Sequence, residues 1–176
     1  MPTLIIEDGT AASLSANSYV TVAEVDTFVS NLGLTGWSTL STDAREQAIL
    51  RGMDYVETFS FKGVKMDWAN PLEWPRYGVW DDSYYGSTED WSSEELAFYQ
   101  EIPKGVKNAV CRAAYEESQS AGCLQSNTTS NIRREKIDVI ETEYFANEPS
   151  ITVYRTIEGY LKDLLNNSNI AVVRRT

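Results

Sequence analysis

The sequence predicts a mainly α-helical domain of four helices with a small β element. Apolar residues recur at three- and four-residue spacing in four windows, helix start and stop residues bracket those windows, and strand-like residues gather near 137–145. With 176 residues, 42% of them apolar, the chain can build one core and is short for two. A single domain 1–176 is therefore expected: an extended arm over 1–20, a helical body over 21–165 with a long ordered loop at 61–101, and an extended tail over 166–176.

The arm holds the apolar Leu4-Ile5-Ile6, the turn-like Glu7-Asp8-Gly9 and a run of small polar residues up to Tyr19. Thr21 and Glu24 have capping-box spacing, and Val22, Val25, Val29 and Leu32 follow until Gly33, which places helix one at about 22–32. Asp43 can cap a second helix in which Ile49, Gly52, Met53, Val56 and Phe59 form one stripe. Pro103 suits a first turn, and Ile102, Val106, Ala109, Val110 and Ala113 mark a third helix ending at Gly122. Ile137, Val139, Ile140, Thr142 and Tyr144 suggest a strand with a phase slip between Val139 and Ile140, read as a bulge or bend. Val153, Ile157, Tyr160, Leu161, Leu164 and Leu165 form the fourth helix. The tail closes on a strand-like Ile170-Ala171-Val172-Val173 followed by Arg174-Arg175.

Composition excludes several chemistries. The chain has no histidine, so neither a Ser-His-Asp nor a Cys-His site can be built, and no zinc site of the usual kind. No carboxylate run has the spacing of an ion loop, and no glycine-rich phosphate loop occurs. Catalysis, cofactor binding and metal binding are not expected, and Cys111 reads as a small buried thiol in helix three. The longest apolar run, Ile170 to Val173, is far below the roughly 20 residues of a membrane span, and the first residues lack a signal pattern. A formal charge of −11, from 26 acidic and 15 basic residues, argues against a broad phosphate-neutralising surface.

Four stretches stand out as candidate sites, one of them the tail ending in Arg174-Arg175, readable as a frayed or self-paired edge or as a strand that adds to a partner's sheet. Residues 70–80 read NPLEWPRYGVW, where Pro71 and Pro75 remove backbone donors and bias the preceding residues to extended geometry. Trp74, Pro75, Arg76, Tyr77 and Trp80 are therefore candidates both for anchoring a loop by aromatic burial and for a contact with a neighbouring subunit, Arg76 being the one expected to reach outward. Residues 77–101 carry Asp81, Asp82, Glu89, Asp90, Glu94, Glu95 and Glu101 without lysine or arginine, and Ser92 or Ser93 could cap one short helix there. That stretch is either a solvated face or the wall of a passage for a polyanion. Arg133-Arg134-Glu135-Lys136 is a small basic cluster, readable as a partner for the chain's own carboxylates.

In order, Glu7 to Thr10 (EDGT), Ala16 to Glu24 (ANSYVTVAE), Ala48 to Tyr55 (AILRGMDY), Pro71 to Arg76 (PLEWPR) and Ile102 to Lys107 (IPKGVK) resemble one family. This is the head-to-tail connector, or adaptor, proteins of tailed bacteriophages, many of whose members carry a DnaT-like single-stranded DNA-binding label; the resemblance covers roughly residues 6 to 165. It implies a structural, non-enzymatic virion protein in the neck, assembled in the host cytoplasm as a homo-oligomeric ring, commonly twelve-fold, that completes the head. The implied partners are the portal protein, a downstream neck or tail protein, and double-stranded DNA that passes through without specific binding. Under that resemblance Ile170, Val172, Val173, Arg174 and Arg175 are portal-docking candidates, and Asp81, Asp82, Glu89, Asp90, Glu94 and Glu95 are channel-lining candidates. The alternative is a single-stranded DNA-binding replication accessory protein, for which the aromatic residues speak and the charge does not.

Overall fold

The computed structural model describes residues 2–9, 13–79, 102–125, 134–137, 140–143 and 154–166. Its first helix, α1 (Val22–Asn31), starts at a capping box: the Thr21 hydroxyl accepts from the Glu24 amide at 3.2 Å, and the Glu24 carboxylate accepts from the Thr21 amide at 2.7 Å. Two donors that the helix start would leave orphaned are thereby satisfied. After a single 3-10 turn (Trp37–Thr39), α2 (Thr42–Val56) is capped by Ser41, whose hydroxyl accepts from the Ala44 amide at 3.3 Å. Asp43, the expected cap, lies instead in the first turn, where its charge suits the helix dipole. The helix stops at Val56 rather than Phe59 because the amides of Thr58 and Phe59 reach back only three residues, to the carbonyls of Tyr55 and Val56.

The third helix, α3 (Lys104–Gln119), follows Pro103 as its cap residue and is the centre of the molecule, with Val106, Ala109, Val110, Ala113 and Ala114 fully buried. Its partner on one side is α2, which touches it through Gly52: a Cβ there would stand 2.7 Å from the Ala114 amide nitrogen. The fourth helix, α4 (Arg155–Leu161), packs on α3 through Gly105, where a Cβ would stand 2.6 Å from the Tyr160 carbonyl oxygen. Both glycines are thus required by backbone approach, not by local conformation.

In the last turn of α3, the buried Glu117 carboxylate accepts from the amides of Gly122 at 2.6 Å and Leu124 at 2.9 Å beyond the helix end and from Arg51 Nε of α2 at 2.7 Å. Burial alone would push this carboxyl up, but these donors hold it below the usual carboxylate range. The fourth helix is shorter than the expected 153–165. Beyond Leu161 the chain turns, and Leu165 makes an antiparallel bridge with Phe61, flanked by the Lys62 amide on the Leu164 carbonyl at 2.8 Å and the Asn166 amide on the Ser60 carbonyl at 3.0 Å.

Two small antiparallel pairs complete the described fold. β1 (Val64–Lys65) pairs with β2 (Arg76–Tyr77), Val64 opposite Tyr77, so the stretch 70–80 is not irregular throughout. Both prolines precede β2, which leaves its amides free to pair. β3 (Arg134–Ile137) pairs with β4 (Ile140–Glu143) in a register from Arg134 opposite Glu143 to Ile137 opposite Ile140. The expected single bent strand is therefore a hairpin. Its register also sets Arg134 across from Glu143 and Lys136 across from Glu141.

The amino-terminal stretch differs most from the extended arm expected of it. Ile6 bridges Ser18, the Glu7 amide donates to the Ser18 carbonyl at 2.9 Å, and Tyr19 and Val20 are fully buried in the same core as the helices. Tyr19 accounts for this, because burying a phenol requires partners for its hydroxyl and the helical body supplies them. Among the described residues no helix is long and apolar enough to cross a membrane. The short helix expected near 93–99 and the terminal strand near 170–173 fall outside the described residues.

Candidate nucleic-acid interface

The segment between β1 and β2 is fastened from below. The Trp74 indole is 1% exposed and packs edge-on against Phe61, ring centroids 5.6 Å apart. Tyr19 Oη donates to Glu57 Oε1 at 2.5 Å and accepts from the Trp74 amide at 3.0 Å, while Glu57 Oε2 accepts from the Glu73 amide at 2.7 Å. One buried phenol and one carboxylate at the end of α2 thus hold two successive amides of the loop. Burial raises the Glu57 carboxyl above the usual range, and burial together with the neighbouring Glu57 raises the Tyr19 phenol, so the phenol stays protonated and donating.

Arg76 works inside the same structure. Its guanidinium donates to the carbonyls of Lys62 at 2.9 Å, Gly63 at 2.9 Å, Phe61 at 3.3 Å and Glu73 at 3.3 Å, and pairs with the Glu73 carboxylate. With the residue 8% exposed and its donors spent on these acceptors, it faces the loop's own backbone instead of reaching outward. Pro75 is buried beside it and Tyr77 is half-buried. These four residues lie together as one anchor; Trp80 is outside the described residues.

What this anchor carries is a tight turn that sequence reasoning missed. The Asn70 amide donates to the Asp67 carbonyl at 3.2 Å and the Ala69 amide to Asp67 Oδ1 at 2.8 Å, an Asp-initiated turn with Trp68 at its corner. Both flanks are fixed: the Met66 amide donates to the Pro75 carbonyl at 2.9 Å, Lys65 Nζ to the Asn70 carbonyl at 2.7 Å, and the buried Asn70 side chain accepts from the Leu72 amide at 2.9 Å. Trp68 itself is 91% exposed. The signal in the sequence was the Asp67 and Asn70 spacing, which marks a turn but does not say which way its corner residue points.

A second feature is a shallow groove of about 230 Å³ between α1 and α3, lined by Glu24, Thr27, Phe28 and Asn31 on one side and Lys104, Lys107, Asn108 and Cys111 on the other. Lys107 Nζ lies 3.5 Å from Glu24 Oε1, and Phe28 meets Tyr160 of α4 edge-on. Burial works against the Glu24 charge, yet the Thr21 hydrogen bonds and Lys107 hold its carboxyl low. Cys111 is buried and its thiol is pushed up to about 12, chiefly by that burial, which makes it an unreactive core residue. Among the described residues no group of three or more cysteines and carboxylates is placed to hold a metal ion. The acidic candidates Asp81, Asp82, Glu89, Asp90, Glu94 and Glu95 and the tail candidates Ile170, Val172, Val173, Arg174 and Arg175 all lie outside the described residues.

Comparison with known protein families gives a match over residues 2–176 to the family described as "Putative DnaT-like ssDNA binding protein". Comparison with curated proteins gives no match, and comparison with solved structures gives none. The description of the matched family names single-stranded DNA binding, and the match overturns the expectation of a head-to-tail connector. With it go the virion structural role, the twelve-fold ring, the portal and neck or tail partners, and duplex DNA passing without specific binding. The motifs that carry the resemblance include fold-forming features: the capping box starts α1, the α2 face around Gly52 packs on α3, and Trp74 is buried, and such residues carry no partner information. Matched along nearly its whole length, the chain belongs to the DnaT-like single-stranded DNA-binding family.

Proposed function

We propose that this protein is a single-stranded DNA-binding accessory protein of DNA replication. The observation that carries the reading is the family match over residues 2–176. The structure supports it with a preorganised turn that presents one indole to solvent, since exposed aromatic faces are what unpaired bases stack on. The charge of −11 sets the terms of binding: long-range attraction to a polyanion is absent, so affinity has to come from short-range contact. Duplex DNA, whose bases are already stacked on one another, offers no free face for such contact. The protein therefore binds single strands and discriminates against duplex.

The test is a fluorescence anisotropy titration of the purified protein into a labelled single-stranded oligonucleotide at low salt, with the same sequence as a duplex alongside. Saturable binding of the single strand with little or none of the duplex is the expected result. No anisotropy change for the single strand up to high micromolar protein contradicts the function.

A further inference from the structure

We propose that the Trp68 turn is the base-stacking platform of this protein, the place where an unpaired nucleobase of single-stranded DNA lies on the indole face. The inference rests on the single-stranded DNA reading and names its site. Three observations carry it. Among the described tryptophans, Trp37 and Trp74 are each 1% exposed, and Trp68 is 91% exposed, so only one indole has a face to offer. The backbone that carries it is held in place, because the turn is closed by the Asp67 bonds and braced through Lys65, Met66 and Asn70 to the Trp74 and Arg76 anchor. A side chain presented by a fixed backbone loses less entropy on stacking than one on a free loop. The third observation is charge: between Phe61 and Val79 the buried Arg76 is paired with Glu73, which leaves Lys62 and Lys65 against Asp67, so the segment is not acidic in a chain that is otherwise strongly so. A phosphate backbone can approach this face more readily than one dominated by carboxylates.

The same local chemistry sets the character of binding. Arg76 is committed to carbonyls and Glu73, and Lys65 already donates to Asn70 and lies 3.8 Å from Glu73, so few phosphates are neutralised. With one or two phosphate contacts, the slope of log K against log salt is shallow, about −0.7 to −1.4 for a single strand. Stacking is tolerant of sequence, because every base has a π-face.

The test compares the wild type with Trp68→Ala and Trp68→Phe in the anisotropy titration with a labelled thymidine oligonucleotide, with sedimentation velocity on each protein. Trp68→Ala is expected to weaken binding roughly 5- to 150-fold, the loss of one stacked base, and Trp68→Phe to retain most of the affinity. Unchanged thermal melting of Trp68→Ala shows that folding is intact, as the exposure of the side chain requires. Wild-type binding that Trp68→Ala leaves unaltered overturns the site while leaving the function standing. A wild type that does not bind overturns the function and the site together. An oligomer that Trp68→Ala converts to monomer, with oligonucleotide affinity unchanged, assigns the face to a second copy of the chain and overturns the proposal.

Discussion

Replacing Trp74 by alanine probes the anchor under the displayed turn. An indole buries about 150–250 Å², and at about 25 cal/mol per Å² its removal forfeits about 4–6 kcal/mol of transfer free energy. Two corrections act on that figure. The alanine Cβ keeps part of the contact, and the indole Nε1, buried without a partner, imposes a desolvation cost of about 1–3 kcal/mol that the substitution relieves. The net loss is about 3 kcal/mol. For a domain of this size about 1 kcal/mol moves the melting temperature about 2–4 °C, so Trp74→Ala should melt about 6–12 °C below wild type. Trp74→Phe keeps an aromatic ring against Phe61 and removes the orphan donor, and should cost about 1 kcal/mol or less. Circular dichroism melts at matched concentration measure both. An alanine variant that melts within about 1 °C of wild type, or a phenylalanine variant no better than alanine, refutes the assignment of Trp74 as the buried anchor.

Other substitutions test neighbouring parts of the account. Gly52→Ala gains about 1 kcal/mol of helix propensity but drives a methyl into the α3 backbone, and should lower urea stability by a net 1–2 kcal/mol or so; a stabilised variant would mean the helices are not in close contact. Glu117→Gln tests the junction at the end of α3 through pH. Because the folded carboxyl is held below its unfolded value near about 4.3, its contribution is present above that pH and lost as pH falls through the folded value. The stability deficit of Glu117→Gln should therefore be steady from about pH 8 to about pH 5 and shrink below about pH 4; a deficit unchanged down to about pH 3 contradicts the hydrogen-bonded carboxylate.

The helices were legible because their information is local. Thr21 and Glu24 form the capping box the spacing predicts, and Val25, Val29, Ile49, Met53 and Val56 face inward as the periodicity requires. What sequence alone did not reveal depends on partners far along the chain. Tyr19 reads as the end of a polar arm until Glu57 and the Trp74 amide are placed around its hydroxyl. Arg76 reads as an outward-reaching cation until four carbonyls and Glu73 converge on it. In the candidate site the anchoring of Trp74 could be anticipated, since aromatic burial is the usual way to hold a proline-interrupted loop. The exposure of Trp68 could not, because periodicity has no meaning at the corner of a turn. Function was misjudged for a related reason: the motifs that carried the resemblance include ones that packing dictates, and those are silent about partners.

The most direct measurement is the low-salt titration of wild type and Trp68→Ala against a labelled single-stranded thymidine oligonucleotide. Saturable wild-type binding, with a shallow salt slope and a loss of roughly 5- to 150-fold in the variant, is the predicted result. A wild type that leaves the oligonucleotide anisotropy unchanged contradicts the account.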